Sequence, residues 1–308
     1  MFRIIFKKIP ETLKPFFFRR LNPGKEVFTP CDLDISLTNA SKSNILKKAY
    51  YHGVMSHETE TMRLIRVLSE DVDVFFDIGA NVGIYSYVFT RFNSNSAIYA
   101  IEPVTENADY IESIIKLNQL KKITLIRKAF SDVEKQAKIY IPNVNGYTET
   151  ASLKNRFYGS SGVFKSIEKH TEDVIISTLD IFSSDIDIGK IKKNFLLKID
   201  VEELEIEVLM GGRVFLEKHS PDIILEILLN SDNNYKIFNY LKGFGYKGYL
   251  ITAGGLIPTN IPLPIREKES NRTIYKNHYF SKKDVSIIRN FSESAFGRFY
   301  NDPVNNSV

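Results

Sequence analysis

The stretch VFFDIGANVGIYSY, Val74 to Tyr87, decides the fold. Val74 to Ile78 is a short continuous apolar run of the kind that forms a strand buried on both faces. The periodic apolar residues of 83–91 read as the helix that follows. Between them Gly79 lets the chain turn without a Cβ in the way, and Gly83 lets the helix approach closely. A pyrophosphate-binding turn would read G-x-G-x-x-G and aim backbone N–H groups at phosphate. This turn has two glycines four positions apart, with Asp77 ahead of them. A carboxylate there repels a pyrophosphate and suits a cationic ligand.

The rhythm continues outward. Strands are predicted at 97–101, 123–129, 195–199 and 223–228. Helices are predicted at 57–70, at 105–118, through Leu204, Val208 and Leu209, and near 235–241. Alternating strand and helix predicts an α/β fold with a mostly parallel sheet and helices on both faces. The rhythm breaks between Lys138 and Leu179, where Gly, Ser, Asn and Tyr dominate. Segments 138–141 and 174–178 read as strands flanking that insertion.

Three further stretches carry chemistry. Glu102 closes the second strand, 25 residues after Asp77, and a carboxylate there can accept both hydroxyls of a ribose. Asp132, past the third strand, is placed to meet an adenine amino group. In LLKIDVEELE the charges of Lys198, Asp200 and Glu202 alternate, so a regular strand would set all three on one sheet face. S-adenosylmethionine, with a sulfonium, an ammonium and no phosphate, fits this pattern.

The ordered set FFDIGANVGIYS, IYAIEPVTENADYIESIIKLN, LIRKAFSD, FLLKIDVEELEIEVLMGG and PDIILEI resembles the FkbM-type methyltransferases, from about Val72 to about Tyr249. The resemblance implies a class I, Rossmann-like, seven-stranded sheet whose last strand is antiparallel. It implies S-adenosylmethionine-dependent O-methylation of a sugar, glycan or secondary-metabolite hydroxyl. By position, Asp77, Gly79, Asn81 and Gly83 would line the methionine end of the cofactor, Glu102 the ribose and Asp132 the adenine. Asp200 or Glu202 would be the base, with Lys198 tuning its charge and Glu226 in reserve. A divalent metal held by carboxylates is the alternative to such a base. The resemblance has one departure: Glu203 stands where the family has Gly, and Leu204 where it usually has a small residue.

Residues 1–56 are read as an N-terminal extension and 57–254 as the methyltransferase domain. An insertion at about 142–173 caps the acceptor through Tyr147, Glu149, Thr150, Arg156 and Tyr158. Residues 255–308 form a C-terminal extension. The 308-residue chain, 43% hydrophobic and 25% charged, has the composition of a soluble globular protein. Its net charge of +4 makes no case for nucleic acid. The lone Cys31 excludes an internal disulfide and fits the cytoplasm. The scattered histidines give no metal-ligand spacing. The basic, aromatic N-terminus is read as packing on the body, against an arm on an anionic membrane surface, because Pro10 and Pro15 interrupt a long helix. Two rivals to the enzyme remain: a non-catalytic binding module of the same fold, and a nicotinamide oxidoreductase, which the missing third glycine and Asp77 disfavour.

Overall fold

The computed structural model describes residues 27–285, apart from 143–146, 149, 155–156, 160–161, 165–167, 187, 189–193, 228–232, 263–264 and 267–272. The basic N-terminus, the end of the tail, Glu149, Arg156 and the Tyr158 side chain lie outside the described residues.

The helices are α1 (Asn44–His52), α2 (Thr59–Ser69), α3 (Ile84–Phe92), α4 (Thr105–Asn118), α5 (Leu179–Asp185), α6 (Glu205–Gly211), α7 (Arg213–His219) and α8 (Asn233–Gly243). The main sheet contains β1 (Val74–Ile78), β2 (Ala97–Ile101), β3 (Ile123–Ile126), β9 (Phe195–Ile199), β10 (Asp222–Glu226), β11 (Lys247–Thr252), β12 (Gly255–Thr259) and β15 (Asn277–Ser281). The order is β12-β11-β15-β10-β9-β1-β2-β3. A smaller sheet joins β4 (Ala129–Phe130), β8 (Lys169–Ser177) and β5 (Lys135–Pro142). Two short pairs complete the set: β6 (Phe157–Gly159) with β7 (Gly162–Phe164), and β13 (Ile265–Arg266) with β14 (Thr273–Tyr275).

The α/β class is as expected; the strand count is not. The main sheet has eight strands, one more than seven. β15 is antiparallel to both β10 and β11, and the extra strand β12 folds back along the outer edge of β11. The boundary after residue 254 therefore falls too early, since β12 and β15 belong to this sheet. The boundary at residue 56 is likewise no break in packing: Phe28, Leu37, Leu46 and Val54 sit in one core cluster with Met62 and Phe75. The predicted third strand also stops short, at Ile126. Arg127 turns out to pair with Asp109 and Glu112 at 2.8 and 2.9 Å, and Ala129–Phe130 joins β8 instead.

Period two in the strands sorts side chains onto two faces. Phe75, Leu196, Ile224 and Tyr279 pack with α2, α3, α4 and the N-terminal segment. Phe76, Leu197, Leu225 and Phe280 pack with α5 to α8. Asp77, Lys198, Glu226 and Asn277 have the parity of the first set. All four stand at strand ends beside the point where the order reverses, between β1 and β9. Crevices at such points bind ligands in open α/β sheets.

Candidate functional site

The turn after β1 is shaped by its backbone. Gly79, Asn81 and Gly83 have φ of 79°, 55° and 77°, the left-handed region in which a Cβ is crowded. A Cβ on Gly79 would also lie 1.9 Å from the Asp200 carbonyl oxygen. Four of the turn amides are already committed. Gly79 and Ala80 both donate to the Ile101 carbonyl at 3.0 Å, and Gly83 to the Ala80 carbonyl at 2.8 Å. The Asn81 amide donates to Glu102 Oε2 at 2.8 Å.

Asp77 is fully buried and caps α3. Its Oδ2 accepts the Ser86 amide at 3.1 Å and the Ser86 hydroxyl at 2.7 Å. Burial raises its pKa, against the nearby Lys198 and the Ser86 bonds. The helix end that would greet a phosphate already holds a carboxylate. Asp77 Oδ1, Asn81 Oδ1 and Asn107 Oδ1 are buried and have no hydrogen-bond partner. Unpaired buried acceptors are costly, and a group that donates hydrogen bonds here would relieve that cost. Glu102 is buried as well, with Oε1 accepting the Val104 amide at 2.9 Å. Burial pushes its pKa to about 7, although the Val104 and Asn81 amides oppose the rise.

Beyond β9 the side chains form one ionic cluster. Lys198 is buried, with Nζ 2.9 Å from Asp200 Oδ2 and 4.4 Å from the centre of the Tyr85 ring. Burial works against the Lys198 charge, but Asp200, Asp77 and Glu58 outweigh it and raise the pKa. Burial likewise pulls Asp200 up, and Lys198 and Lys276 overcome it, holding that carboxylate below its usual range. Lys276 bonds Glu226 and reaches Glu58 Oε1 at 3.1 Å. Glu58 also accepts the Tyr85 hydroxyl and, at 2.6 Å, the Asn277 amide. Burial and the Asp200 charge push Glu226 up to about 8. Glu202 is raised too, by burial and then by Glu226, Asp200 and Glu205.

The model of the methyltransferase FkbM domain matches residues 77–247. The chain belongs to the FkbM methyltransferase family. Among solved structures, the methyltransferase FkbM from Methylobacillus flagellatus KT is similar at 15% identity and a TM-score of 0.43, over 78% of this chain and 56% of that one. This chain thus spans just over half of that relative's length. An O-methyltransferase from Bacillus cereus in complex with SAH is similar at 10% identity and a TM-score of 0.40, covering 73% of this chain and 79% of that one. M. jannaschii TYW2 in complex with AdoMet is similar at 13% identity and a TM-score of 0.39, covering 85% of this chain and 89% of that one. No curated protein matches.

Within this FkbM chain, Asp77, Gly79, Asn81, Gly83 and Glu102 converge at the ends of β1 and β2, and Lys198 meets Asp200. Glu202 departs from the expected alternation. β9 ends at Ile199, and Glu202 and Glu203 turn through φ of 53° and 73°. Glu203 therefore adopts a backbone conformation that suits glycine, the residue the sequence resemblance implies there. Its amide and that of Val201 donate to Glu205 Oε1 at 3.2 and 3.3 Å. Asp132 is exposed beyond β4, taking the Ser131 hydroxyl at 3.1 Å. It follows a strand of the smaller sheet, not the third strand of the main one.

Tyr147 of the insertion is engaged with the body. Its hydroxyl accepts the Asn39 amide at 2.9 Å, and its ring packs on Tyr110 at 4.6 Å. Thr150 is half-buried, its amide 3.4 Å from the Thr148 hydroxyl. Among the described residues no three His, Cys, Asp or Glu side chains are grouped as metal ligands, and no helix is long and apolar enough to cross a membrane.

The sequence reading missed Glu58, Tyr85, Lys276 and Asn277. Tyr85 lies inside the opening motif, two residues past Gly83, where its helical periodicity marked it only as core. Glu58, Lys276 and Asn277 lie outside the matched segment. Their one local signal is polarity at an element's edge: Glu58 just before α2, and Lys276-Asn277 leading into a buried strand.

Proposed function

We propose that this chain is an S-adenosylmethionine-dependent O-methyltransferase acting on an uncharged, hydroxyl-rich acceptor such as a sugar or glycan. The observation that carries the reading is the pair of unmet buried acceptors, Asp77 Oδ1 and Asn81 Oδ1, on a turn where the amides of Gly79, Ala80, Asn81 and Gly83 are committed within the protein. A pyrophosphate would need those amides. An ammonium and ribose hydroxyls would instead supply the donors that the carbonyl and carboxylate oxygens lack. Asp77, Gly79, Asn81, Gly83 and Glu102 would hold the cofactor, with Asp132 at its adenine end. When bound, the cofactor supplies an electrophilic methyl group on a sulfonium.

The ionic cluster would receive the acceptor. Lys198 and Lys276 are each bonded to carboxylates, which favours hydroxyl donors over an anionic acceptor. Asp200, tied to Lys198, would orient a hydroxyl. Glu202 is the stronger candidate for proton acceptor: burial and the neighbouring Glu226, Asp200 and Glu205 raise its pKa and so its basicity, while Lys198 and Lys276 lower that of Asp200. Glu202 would take the hydroxyl proton as the methyl carbon exchanges its bond to sulfur for one to the acceptor oxygen, S-adenosylhomocysteine being the leaving group. The conformation of Glu203 supports an enzyme over a non-catalytic module, because the substrate-side turn keeps a glycine-like shape without the glycine.

Calorimetry separates the readings. S-adenosylhomocysteine should bind and NAD should not; NAD binding without S-adenosylhomocysteine binding would overturn the assignment.

A further inference from the structure

The carbonyl of Thr148, a buried residue of the insertion, accepts two side-chain amides at once. Asn81 Nδ2 donates from the β1 turn at 3.1 Å, and Asn107 Nδ2 donates from the first turn of α4 at 3.0 Å. A carbonyl can only accept, so each asparagine must turn its NH2 toward Thr148. Each carboxamide oxygen then points away from it, and both are buried without a partner. Asn107 is itself buried, and its amide also supports Glu102. Glu102 in turn holds the Asn81 backbone amide at 2.8 Å. One buried corner thus gathers Glu102 and two unmet amide oxygens, three groups able to accept hydrogen bonds from a ligand.

We propose that Asn107 is a ligand-binding residue that joins Asn81 and Glu102 in holding the ribose hydroxyls of the adenosyl cofactor, and that through Thr148 it couples cofactor occupancy to the seating of the insertion. This rests on the cofactor reading above. Hydroxyl donors meeting the two carboxamide oxygens fix both side chains in the orientation that grips the Thr148 carbonyl. The coupling is reciprocal: an insertion held at Thr148 presents the two oxygens correctly oriented, and a ligand on those oxygens holds the insertion. The insertion then forms a wall of the cofactor pocket besides covering the acceptor. Its other anchors lie nearby, with the Tyr147 amide on the Lys42 carbonyl at 2.8 Å and the Thr105 amide on Glu172 at 3.0 Å.

The test titrates S-adenosylhomocysteine into the full chain and into Asn107→Ala and Asn107→Asp, while hydrogen exchange follows the amides of Tyr147, Thr148 and Ser152. Loss of one buried hydrogen-bonding group should weaken binding about fivefold to tenfold in Asn107→Ala. Asn107→Asp keeps the shape but cannot donate to Thr148, and it sets a second carboxylate beside Glu102. It should weaken binding at least as much, and it carries the test if the alanine variant does not fold. In the unsubstituted chain, ligand should slow exchange at the three amides; in the variants that slowing should vanish. Unchanged affinity in the variants, or exchange indifferent to ligand in the unsubstituted chain, overturns the proposal alone. An unsubstituted chain that binds no S-adenosylhomocysteine overturns the cofactor reading and the proposal together.

Discussion

Asn277 donates a 2.6 Å hydrogen bond to Glu58 across 219 positions of sequence. That contact joins the residue before α2 to the last strand of the sheet, directly over the end of β10. Lys276, its neighbour, completes the closure by bridging Glu58 and Glu226. The ionic cluster is therefore assembled from both flanks of the family-matched segment.

Removing the Lys276 charge should expose that dependence. Lys276→Met leaves Glu58 and Glu226 facing each other without a cation. A fully buried pair broken this way costs about 3–5 kcal/mol and an exposed one under about 1 kcal/mol. The Lys276 side chain is about one-third exposed, so a loss near 2 kcal/mol is expected. Urea denaturation measures it, and Lys276→Arg should recover most of the loss.

Backbone conformation makes opposite predictions at two positions. Gly79→Ala puts a methyl group 1.9 Å from the Asp200 carbonyl at a φ of 79°. It should cost about 3 kcal/mol or more and abolish S-adenosylhomocysteine binding, because β1 and β9 must separate. Glu203→Gly relieves a φ of 73° and should stabilise the chain by about 0.5–1 kcal/mol, after the greater freedom of glycine in the unfolded chain is subtracted. Paired thermal melts of the two variants test both signs.

The raised carboxyl groups give stability a definite slope with pH. Glu226 titrates at about 8 in the folded chain, against 4.5 as its ordinary value. The folded state thus holds a proton that the unfolded state releases earlier. Stability from this group is fully present below about pH 4.5 and is lost as pH rises through about 8. Glu102 and Glu205, at about 7, act in the same direction. Unfolding free energy of the ligand-free chain should therefore fall between pH 5 and 8 by an amount that Glu226→Gln reduces. An identical slope in that variant would show that Glu226 is not responsible.

Catalysis by Glu202 predicts a split between binding and turnover. Glu202→Gln should lower methyl transfer by about 100-fold to 10,000-fold while leaving the S-adenosylhomocysteine dissociation constant within about twofold. Asp200→Asn should lose less turnover and more acceptor affinity, since Asp200 orients and does not take the proton. Single-turnover rates with a responding acceptor separate the two.

Much of this was legible along the chain. Val74–Ile78, Ala97–Ile101, Thr105–Asn118 and Phe195–Ile199 fall where the apolar pattern puts them, because strands buried on both faces and a helix with one apolar side leave strong local signals. The acid before two glycines likewise marked a turn unsuited to phosphate, and φ at Gly79 and Gly83 together with the Asp77 cap gives the reason. Ends were harder: 123–129 reads as one strand, yet it stops at Ile126 and Ala129–Phe130 pairs with β8 of the smaller sheet.

Sequence by itself determined the central strands β1, β2 and β9, the β1 turn and the Lys198–Asp200 pair, since each depends on residues within a few positions of one another. Tertiary structure alone decided that Glu58, Lys276 and Asn277 complete the ionic cluster, that Asn81 and Asn107 share the Thr148 carbonyl, and that Glu202 leaves the strand line. Those outcomes depend on which strands become neighbours and on how burial and opposing charges balance at their ends, and neither quantity is written in any local stretch of residues.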